Sequence, residues 1–158
     1  MDLVFQNFTS DKSFKGEFFK KILQIGVGEL GLKDKGIEIS LNLVDQSKIR
    51  ELNKEYRKKD KATDVLSFPM AEGLEIGNWK LEIPKSNATT FDLGDIFICL
   101  SFAKNDAKSE NVSIEKKLAQ LTVHGFLHLA GYDHECSSKD AKNMLSLEES
   151  ILKKLSYD

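Results

Sequence analysis

The chain has few of the features that place a protein outside the cell or in a membrane. Its 158 residues include only two cysteines, Cys99 and Cys136, which are too few for a disulfide framework. No run approaches the roughly 18 consecutive apolar residues of a membrane-spanning helix, and residues 1–7 lack the pattern of a signal peptide. These absences predict a cytoplasmic protein with reduced thiols and no membrane association.

The chain also lacks an excess of positive charge. Its 23 Lys and Arg residues are outnumbered by 25 Asp and Glu residues, which gives a formal net charge of −2 at pH 7. Without a global positive field, contact with nucleic acid requires a local basic patch. Neither a repeat nor a linker divides the sequence, and its length suits one core, so we predict a single domain spanning residues 1–158.

Histidine is scarce too, and all three histidines fall within eleven positions, from His124 to His134. On a helix, His124 and His128 lie about 40° apart around the axis, so both imidazoles face the same side. Gly131 can end that helix in the left-handed conformation and turn the chain back, which would bring His134 to the same point. Three imidazoles with one open position are typical of catalytic zinc, so we predict one Zn²⁺ per chain, held by a core helix and the following turn.

Other interpretations of this histidine cluster stay open. A histidine on an apolar helix is often a hydrogen-bonded core residue, and nickel, copper and iron(II) accept the same ligands as zinc. The spacing also matches the metzincin metalloproteases, in which a Glu after the first His is the general base. Here that position is Gly125, so peptide hydrolysis would need another carboxylate, such as Asp133 or Glu135. A fourth ligand from Cys136 would instead close the site around a structural ion.

The pattern of apolar residues predicts an α+β fold, with a small mixed sheet of about four strands packed with about five helices. Strands are expected over residues 3–8, 37–43, 65–68 and 96–100. The second alternates apolar and polar residues and should bury one face. The third should be an edge strand that Pro69 ends, and the continuously apolar fourth should be central and buried on both faces.

Several residues predict where helices begin, end and pack. Ser10 or Asp11 should cap a first helix that includes Phe14, Asp45 and Ser113 should cap later helices, and Ser137 with Asp140 should cap the last. A stop is expected at Gly31. The second helix should turn inward Ile49, Leu52, Asn53 and Tyr56; the last should turn inward Met144, Leu147, Ile151 and Leu155. The helix that carries the histidine pair is apolar on most sides, which predicts a core position.

Two segments between the predicted strands are irregular. Arg57, Lys58, Lys59 and Lys61 place four cations within five positions. Such a run is usually a solvated loop, but it could bind phosphate if it folded beside the histidines. Residues 71–90 read as an insertion with a hairpin turn at Gly77–Asn78, either surface decoration or a flap.

Three ordered segments resemble the YbeY family of bacterial endoribonucleases and ribosomal RNA maturation factors. The first is His-Gly-Phe-Leu-His-Leu-Ala-Gly-Tyr-Asp-His at residues 124–134. The second is Asn-Lys-Glu-Tyr-Arg at residues 53–57, which runs into Thr-Asp-Val-Leu-Ser-Phe-Pro at residues 63–69. The third is Leu-Gly-Asp-Ile at residues 93–96. The resemblance covers most of the chain from about residue 37 to residue 155.

The resemblance implies zinc held by His124, His128 and His134 in an α+β fold. It further implies cleavage of single-stranded RNA, with roles in 16S ribosomal RNA 3′-end maturation and ribosome quality control on the small ribosomal subunit. The family's functionally important arginine falls on Arg57, whose guanidinium can hold a phosphate through two parallel hydrogen bonds. Lys58, Lys59 and Lys61 then become candidates for contacts with the RNA backbone.

Two alternatives to the nuclease remain. One is a non-catalytic, zinc-containing ribosome assembly factor, in which removing the metal would change folding without exposing any catalytic activity. The other is a metalloprotease-like hydrolase, against which the glycine at position 125 argues.

Overall fold

The computed structural model describes residues 1–32, 36–70, 91–133 and 138–157. Four strands and five helices follow one another in these residues. In chain order they are β1 (Asp2–Asn7), α1 (Gly16–Glu29), β2 (Ile37–Val44), α2 (Gln46–Arg57), β3 (Val65–Pro69), β4 (Phe91–Cys99), α3 (Leu100–Glu110), α4 (Ile114–Leu129) and α5 (Ser138–Lys154). The predicted α+β fold, with its strand and helix numbers, is confirmed. The predicted hairpin at Gly77–Asn78 and the predicted cap at Ser137 lie outside the described residues.

The four strands form one mixed sheet in the order β1-β2-β4-β3. β1 and β4 both run parallel to β2, whereas β3 is antiparallel to β4 and lies at the edge. The central position of β4 and the edge position of β3 are therefore as predicted, although β4 begins earlier than expected and Leu100 already belongs to α3.

Both faces of the sheet are covered, and α4 lies at the centre of the larger core. Ile96 and Ile98 of β4 belong to that core together with residues of α1, α4 and α5. The alternate residue Cys99 points to the opposite face, where it joins Ile49 and Leu52 of α2 in a second, smaller core. The prediction that residues 37–43 bury one face holds for the four alternating apolar side chains, which all belong to the larger core. The exceptions are Asn42, which is also buried, and Val44 just beyond the predicted strand, which packs in the second core.

The predicted helix starts and stops are confirmed where a capping side chain or a glycine lets the free backbone groups at the helix end form hydrogen bonds. Asp45 Oδ1 accepts a hydrogen bond from the Lys48 N–H at the start of α2, and Ser113 Oγ accepts one from the Lys116 N–H at the start of α4. The predicted stop at Gly31 follows directly after α1. These signals are local, so they depend little on how the rest of the chain packs.

Two helix predictions are wrong. The first helix begins at Gly16, so it excludes Phe14 and is capped by neither Ser10 nor Asp11. Asp11 instead accepts hydrogen bonds from Ser13 and binds Lys104 of α3, and these partners, Lys104 foremost, hold the pKa of its carboxyl far below the usual range. On α2, Ile49, Leu52 and Asn53 are buried as predicted, but Tyr56 is 62% exposed.

The last helix agrees with its predicted inner face. Met144 and Ile151 are buried, and Leu147 and Leu155 pack against the same core while partly buried. These side chains hold α5 against α4, the helix that carries the histidine pair. Among the helices of the described residues, none has the length and apolar character needed to cross a membrane.

Candidate metal and RNA-binding cleft

The histidine pair lies on the side of α4 that the core leaves open in the second half of the helix. From residue 121 to residue 130, every side chain is buried except those of His124 and His128, which are half-buried. The predicted core position of this helix is therefore confirmed. A helix packed this tightly on its other sides cannot rotate, so the two imidazoles are held rigidly at the surface of the core.

The two imidazoles converge on one point. The Nε2 atoms of His124 and His128 are 3.0 Å apart, and the rings lie 79° from parallel with their centroids 4.5 Å apart. Two nitrogen ligands of one tetrahedral zinc, each about 2.0–2.1 Å from the ion, would be about 3.3 Å apart. The observed arrangement therefore fits two ligands of a single zinc ion.

Glu148 of α5 supports this fit, and sequence reasoning missed it. Its Oε1 lies 2.7 Å from Nδ1 of His124. A carboxylate here accepts a hydrogen bond from Nδ1–H, which directs the lone pair of the neutral imidazole to Nε2. Histidines that bind metals commonly carry such a carboxylate on the other ring nitrogen. No feature of the sequence distinguishes Glu148 from the other acidic residues of α5.

The turn after α4 has the geometry that the sequence predicts for Gly131. The glycine has a φ of +94°, and its N–H donates to His128 O while the Tyr132 N–H donates to Leu127 O. This pair of hydrogen bonds is the Schellman motif, which requires a left-handed residue after the last helical turn. His134 and Cys136 lie outside the described residues, so their predicted contributions remain predictions.

Within the described ranges, no three His, Cys, Asp or Glu side chains are close enough together to form a metal site by themselves. The described residues thus bring two imidazole nitrogens together, and His134, the predicted third ligand, lies outside them.

A cleft of about 530 Å³ opens beside the histidine pair. One wall is formed by α4 and the turn after it, including His124, His128 and Tyr132; the other is formed by β3 and the loop between α2 and β3. Burial raises the pKa of the Tyr132 phenol still further above neutral pH, and the protonated hydroxyl can donate a hydrogen bond. The cleft is large enough for part of a nucleotide chain rather than for an ion alone.

The structure brings three of the four predicted cations into this cleft. Arg57, Lys59 and Lys61 line it together with the histidines. Lys58 is not among the lining residues; it caps α2 in a left-handed conformation, and its Nζ donates to Glu55 O. These three cations outnumber the two aspartates of the same lining, Asp64 and Asp133. A chain with a net charge of −2 would need such a local excess of positive charge to contact nucleic acid.

Arg57 is connected to α4 through the edge strand. Its Nη2 donates to Ser67 O at 3.0 Å, and the buried Ser67 hydroxyl donates to Gly125 O at 3.1 Å. The guanidinium carries five N–H donors, so this bond orients the group without exhausting its capacity to bind an anion. Two hydrogen bonds, both made by Ser67, therefore link the Arg57 guanidinium to Gly125, the residue next to His124.

Asn53 holds the loop that carries the lysines, and sequence reasoning assigned it only to the inward stripe. Its side chain is 3% exposed, and Nδ2 donates to Lys61 O at 2.9 Å. Its backbone carbonyl accepts the Lys59 N–H at 3.2 Å. The side chain and the backbone carbonyl of Asn53 thus bind the loop on either side of residue 60, which fixes where Lys59 and Lys61 leave it.

The packing of the sheet against α4 requires a glycine at position 125. A Cβ at this position would lie 2.9 Å from Ile96 Cγ2 and 3.2 Å from Ser67 Oγ, because β3 and β4 pack directly on this face of α4. The position therefore has no room for the glutamate that serves as general base in metzincins.

We expect Gly125→Ala to destabilise the protein by about 1–3 kcal/mol, since Ile96 is fully buried and cannot move away without disturbing the core. Chemical denaturation would measure the free energy of unfolding. Gly28→Ala is the matched control, because a Cβ there meets nothing within 4 Å on an exposed part of α1. Equal stability of Gly125→Ala and the native protein would show that the strands can give way.

Comparison with known proteins agrees with this fold. The family model of Endoribonuclease YbeY matches residues 5–156. A protein named Endoribonuclease YbeY from a Sulfurihydrogenibium species is 41% identical over 147 residues, which cover 93% of this chain and 88% of the relative. Another of that name from Aquifex aeolicus is 42% identical over 137 residues, covering 87% of this chain and 81% of the relative.

A solved structure gives the same result for the fold. The solution structure of a Thermotoga maritima protein matches with a TM-score of 0.62 and 28% identity, covering 96% of this chain and 87% of that protein. The family match extends over nearly the whole chain, and it includes both walls of the cleft. The resemblance seen in the three sequence segments is thereby confirmed, and the chain belongs to the Endoribonuclease YbeY family.

Proposed function

We propose that this protein is a zinc-dependent endoribonuclease that cleaves single-stranded RNA. It would work in the cytoplasm, in the maturation of the 3′ end of 16S ribosomal RNA and in ribosome quality control. The observation that carries the proposal is one cleft with two converging imidazoles on one wall and Arg57, Lys59 and Lys61 on the other. Family membership supports the reaction class. The RNA substrate and the small ribosomal subunit as partner follow from the same family resemblance.

His124, His128 and His134 would hold the zinc ion. When bound, zinc would supply Lewis-acid polarisation of a phosphoryl oxygen and would acidify a water molecule. Glu148 keeps the Nε2 of His124 directed at the ion, and the tight packing of α4 keeps both imidazoles from moving apart. Three protein ligands would leave one coordination position free for water or a phosphoryl oxygen.

The remaining cleft residues would bind the phosphodiester. Arg57 can donate two parallel hydrogen bonds to the phosphate and stabilise the charge that develops there during cleavage. Lys59 and Lys61 would bind neighbouring phosphates as point charges. The Tyr132 hydroxyl is a neutral donor next to the histidines. An unpaired strand suits such a cleft, because its bases can turn away from the backbone while the phosphate enters.

The proposal predicts that the zinc-loaded protein cleaves single-stranded RNA, leaves a duplex of the same sequence largely intact and leaves casein untouched. Chelation should abolish the cleavage and added zinc should restore it. His124→Ala protein, purified in parallel, controls for contaminating nuclease. Failure of the zinc-loaded protein to cut any RNA would instead favour an assembly factor, and cleavage of casein would favour a protease, which the crowding at Gly125 argues against.

A further inference from the structure

Three aromatic side chains form a continuous row beside the cleft. Tyr56, at the end of α2, contacts Phe68 of β3 edge-to-face with ring centroids 5.3 Å apart. Phe68 in turn contacts Phe97 of β4 at 5.8 Å. Phe68 and Phe97 are partly buried, whereas Tyr56 is 62% exposed. The row is therefore anchored on the sheet and ends in a ring that is open to solvent.

This row lies on the side of β3 opposite the histidines. Successive side chains of a strand point to opposite faces, and Ser67 points to α4, so Phe68 points away from it. Arg57 spans the two sides at the edge of the sheet, because it donates to Ser67 O while its Cζ lies 6.0 Å from the centre of the Phe68 ring. The cation that lines the cleft thus also adjoins the aromatic row.

We propose that Tyr56 is a base-stacking residue, which binds an unpaired nucleobase of the same RNA strand whose phosphate is bound by Arg57. The inference rests on the proposed function and adds a binding subsite to it. Tyr56 and Arg57 are consecutive residues, and one nucleotide extends far enough to place its phosphate on one and its base on the other. A base in a duplex is already stacked and paired, so such a subsite selects single strands.

The surroundings favour RNA over a protein partner as the occupant. Tyr56 and Arg57 both lie against the Phe68 ring, and Arg57 in turn lines the cleft together with Lys59 and Lys61. Cations next to the exposed ring complement a polyanion. A stacking face beside a cationic track is the usual arrangement in proteins that bind single-stranded nucleic acid. Tyr56 also departs from the predicted inward stripe of its helix, so burial in the core does not account for an aromatic residue here.

The test uses the zinc-loaded protein and a short single-stranded RNA that it cleaves. Tyr56→Ala should raise KM about tenfold or more, since losing one stacked base typically costs that much affinity, while kcat changes little. Tyr56→Phe retains the ring and should behave like the native protein. Phe8→Ala is the matched control, because Phe8 is also 62% exposed but follows β1 at the opposite edge of the sheet.

A second arm locates the base. RNAs with one abasic nucleotide, moved stepwise along the strand, should include one that raises KM for the native protein as much as Tyr56→Ala does. With the Tyr56→Ala protein, that RNA should show no further rise. An unchanged KM for Tyr56→Ala, or an equal rise for Phe8→Ala, would overturn the stacking proposal while leaving the nuclease intact. Absence of RNA cleavage by the native protein would overturn the proposed function, and the subsite with it.

Discussion

Replacing His124 with alanine is expected to release the metal and to lower the rate of RNA cleavage at least about 1,000-fold. His124 supplies one of two Nε2 atoms that lie 3.0 Å apart, and it is the imidazole that Glu148 orients. Losing the ion removes several kcal/mol of transition-state stabilisation, and each 1.36 kcal/mol is a factor of ten in rate. Elemental analysis of the purified protein would give the metal content, and cleavage of a labelled RNA would give the rate.

Glu148→Gln tests the support that Glu148 gives to His124 separately from the binding of metal by His124 itself. Glutamine has nearly the same shape, and its carbonyl still accepts a hydrogen bond from Nδ1–H, but it lacks the negative charge that makes the imidazole a stronger ligand. Loss of such a supporting group typically weakens metal affinity about 10- to 100-fold. Cleavage by Glu148→Gln should therefore recover at high zinc concentration, whereas His124→Ala should not recover. A His124→Ala protein that kept one zinc and the native rate would refute the proposed site.

The His124→Ala protein should still fold, because His124 is half-buried at the open side of α4 and is not part of the packed core. Thermal unfolding of the metal-free native protein is the proper reference for the variant. The native protein should then gain stability when zinc is added, since a ligand that binds only the folded state stabilises it. The variant should gain none.

The parts of the site that the sequence predicts correctly are those set by nearby residues. The i, i+4 spacing of His124 and His128 on a helix already determines that their imidazoles share a side. Gly131 ends that helix because a left-handed residue is needed within one turn of it. Asp45 and Ser113 likewise bond to backbone groups three residues away. Such features need no knowledge of the tertiary structure.

The parts that the sequence does not predict depend on contacts between distant residues. Glu148 reaches His124 across 24 positions, and Ser67 reaches Gly125 across 58. Gly125 illustrates the limit well: the sequence shows that a general base is missing there, but only the packing of β3 and β4 on α4 shows that a side chain is excluded.

Tyr56 shows where a prediction from helical periodicity is wrong: the spacing continues to the end of the helix, but the burial does not. Helical spacing assigns it to the buried stripe with Ile49, Leu52 and Asn53, but the second core ends before the last turn of α2. Periodicity predicts which side of a helix faces the sheet and does not predict how far along the helix the sheet extends. The departure occurs beside Arg57, where the loop of the cleft begins, which is why the exposed ring is available for a ligand.

Replacing Arg57 with alanine is expected to lower kcat about 100- to 1,000-fold while the protein keeps its zinc. The guanidinium would stabilise charge on the phosphate as the transition state forms, and removing one such donor group typically has an effect of this size. Arg57 does not contact the histidines directly, since its hydrogen bond is to Ser67 O on the neighbouring strand. Metal content should therefore match that of the native protein, and steady-state cleavage of single-stranded RNA would give kcat and KM.

Two further variants test whether catalysis depends on the positive charge of Arg57 or on the geometry of its hydrogen bonds to phosphate. Arg57→Lys keeps the positive charge but cannot form two parallel hydrogen bonds to phosphate, so it should restore only a small part of the lost kcat. Arg50→Ala is the matched control: Arg50 lies on the same helix, and its bond to Asp60 is an exposed pair that contributes little. It should cleave at the native rate. If Arg57→Ala raised KM without lowering kcat, the residue would only bind RNA, because an interaction equal in ground and transition states leaves kcat unchanged.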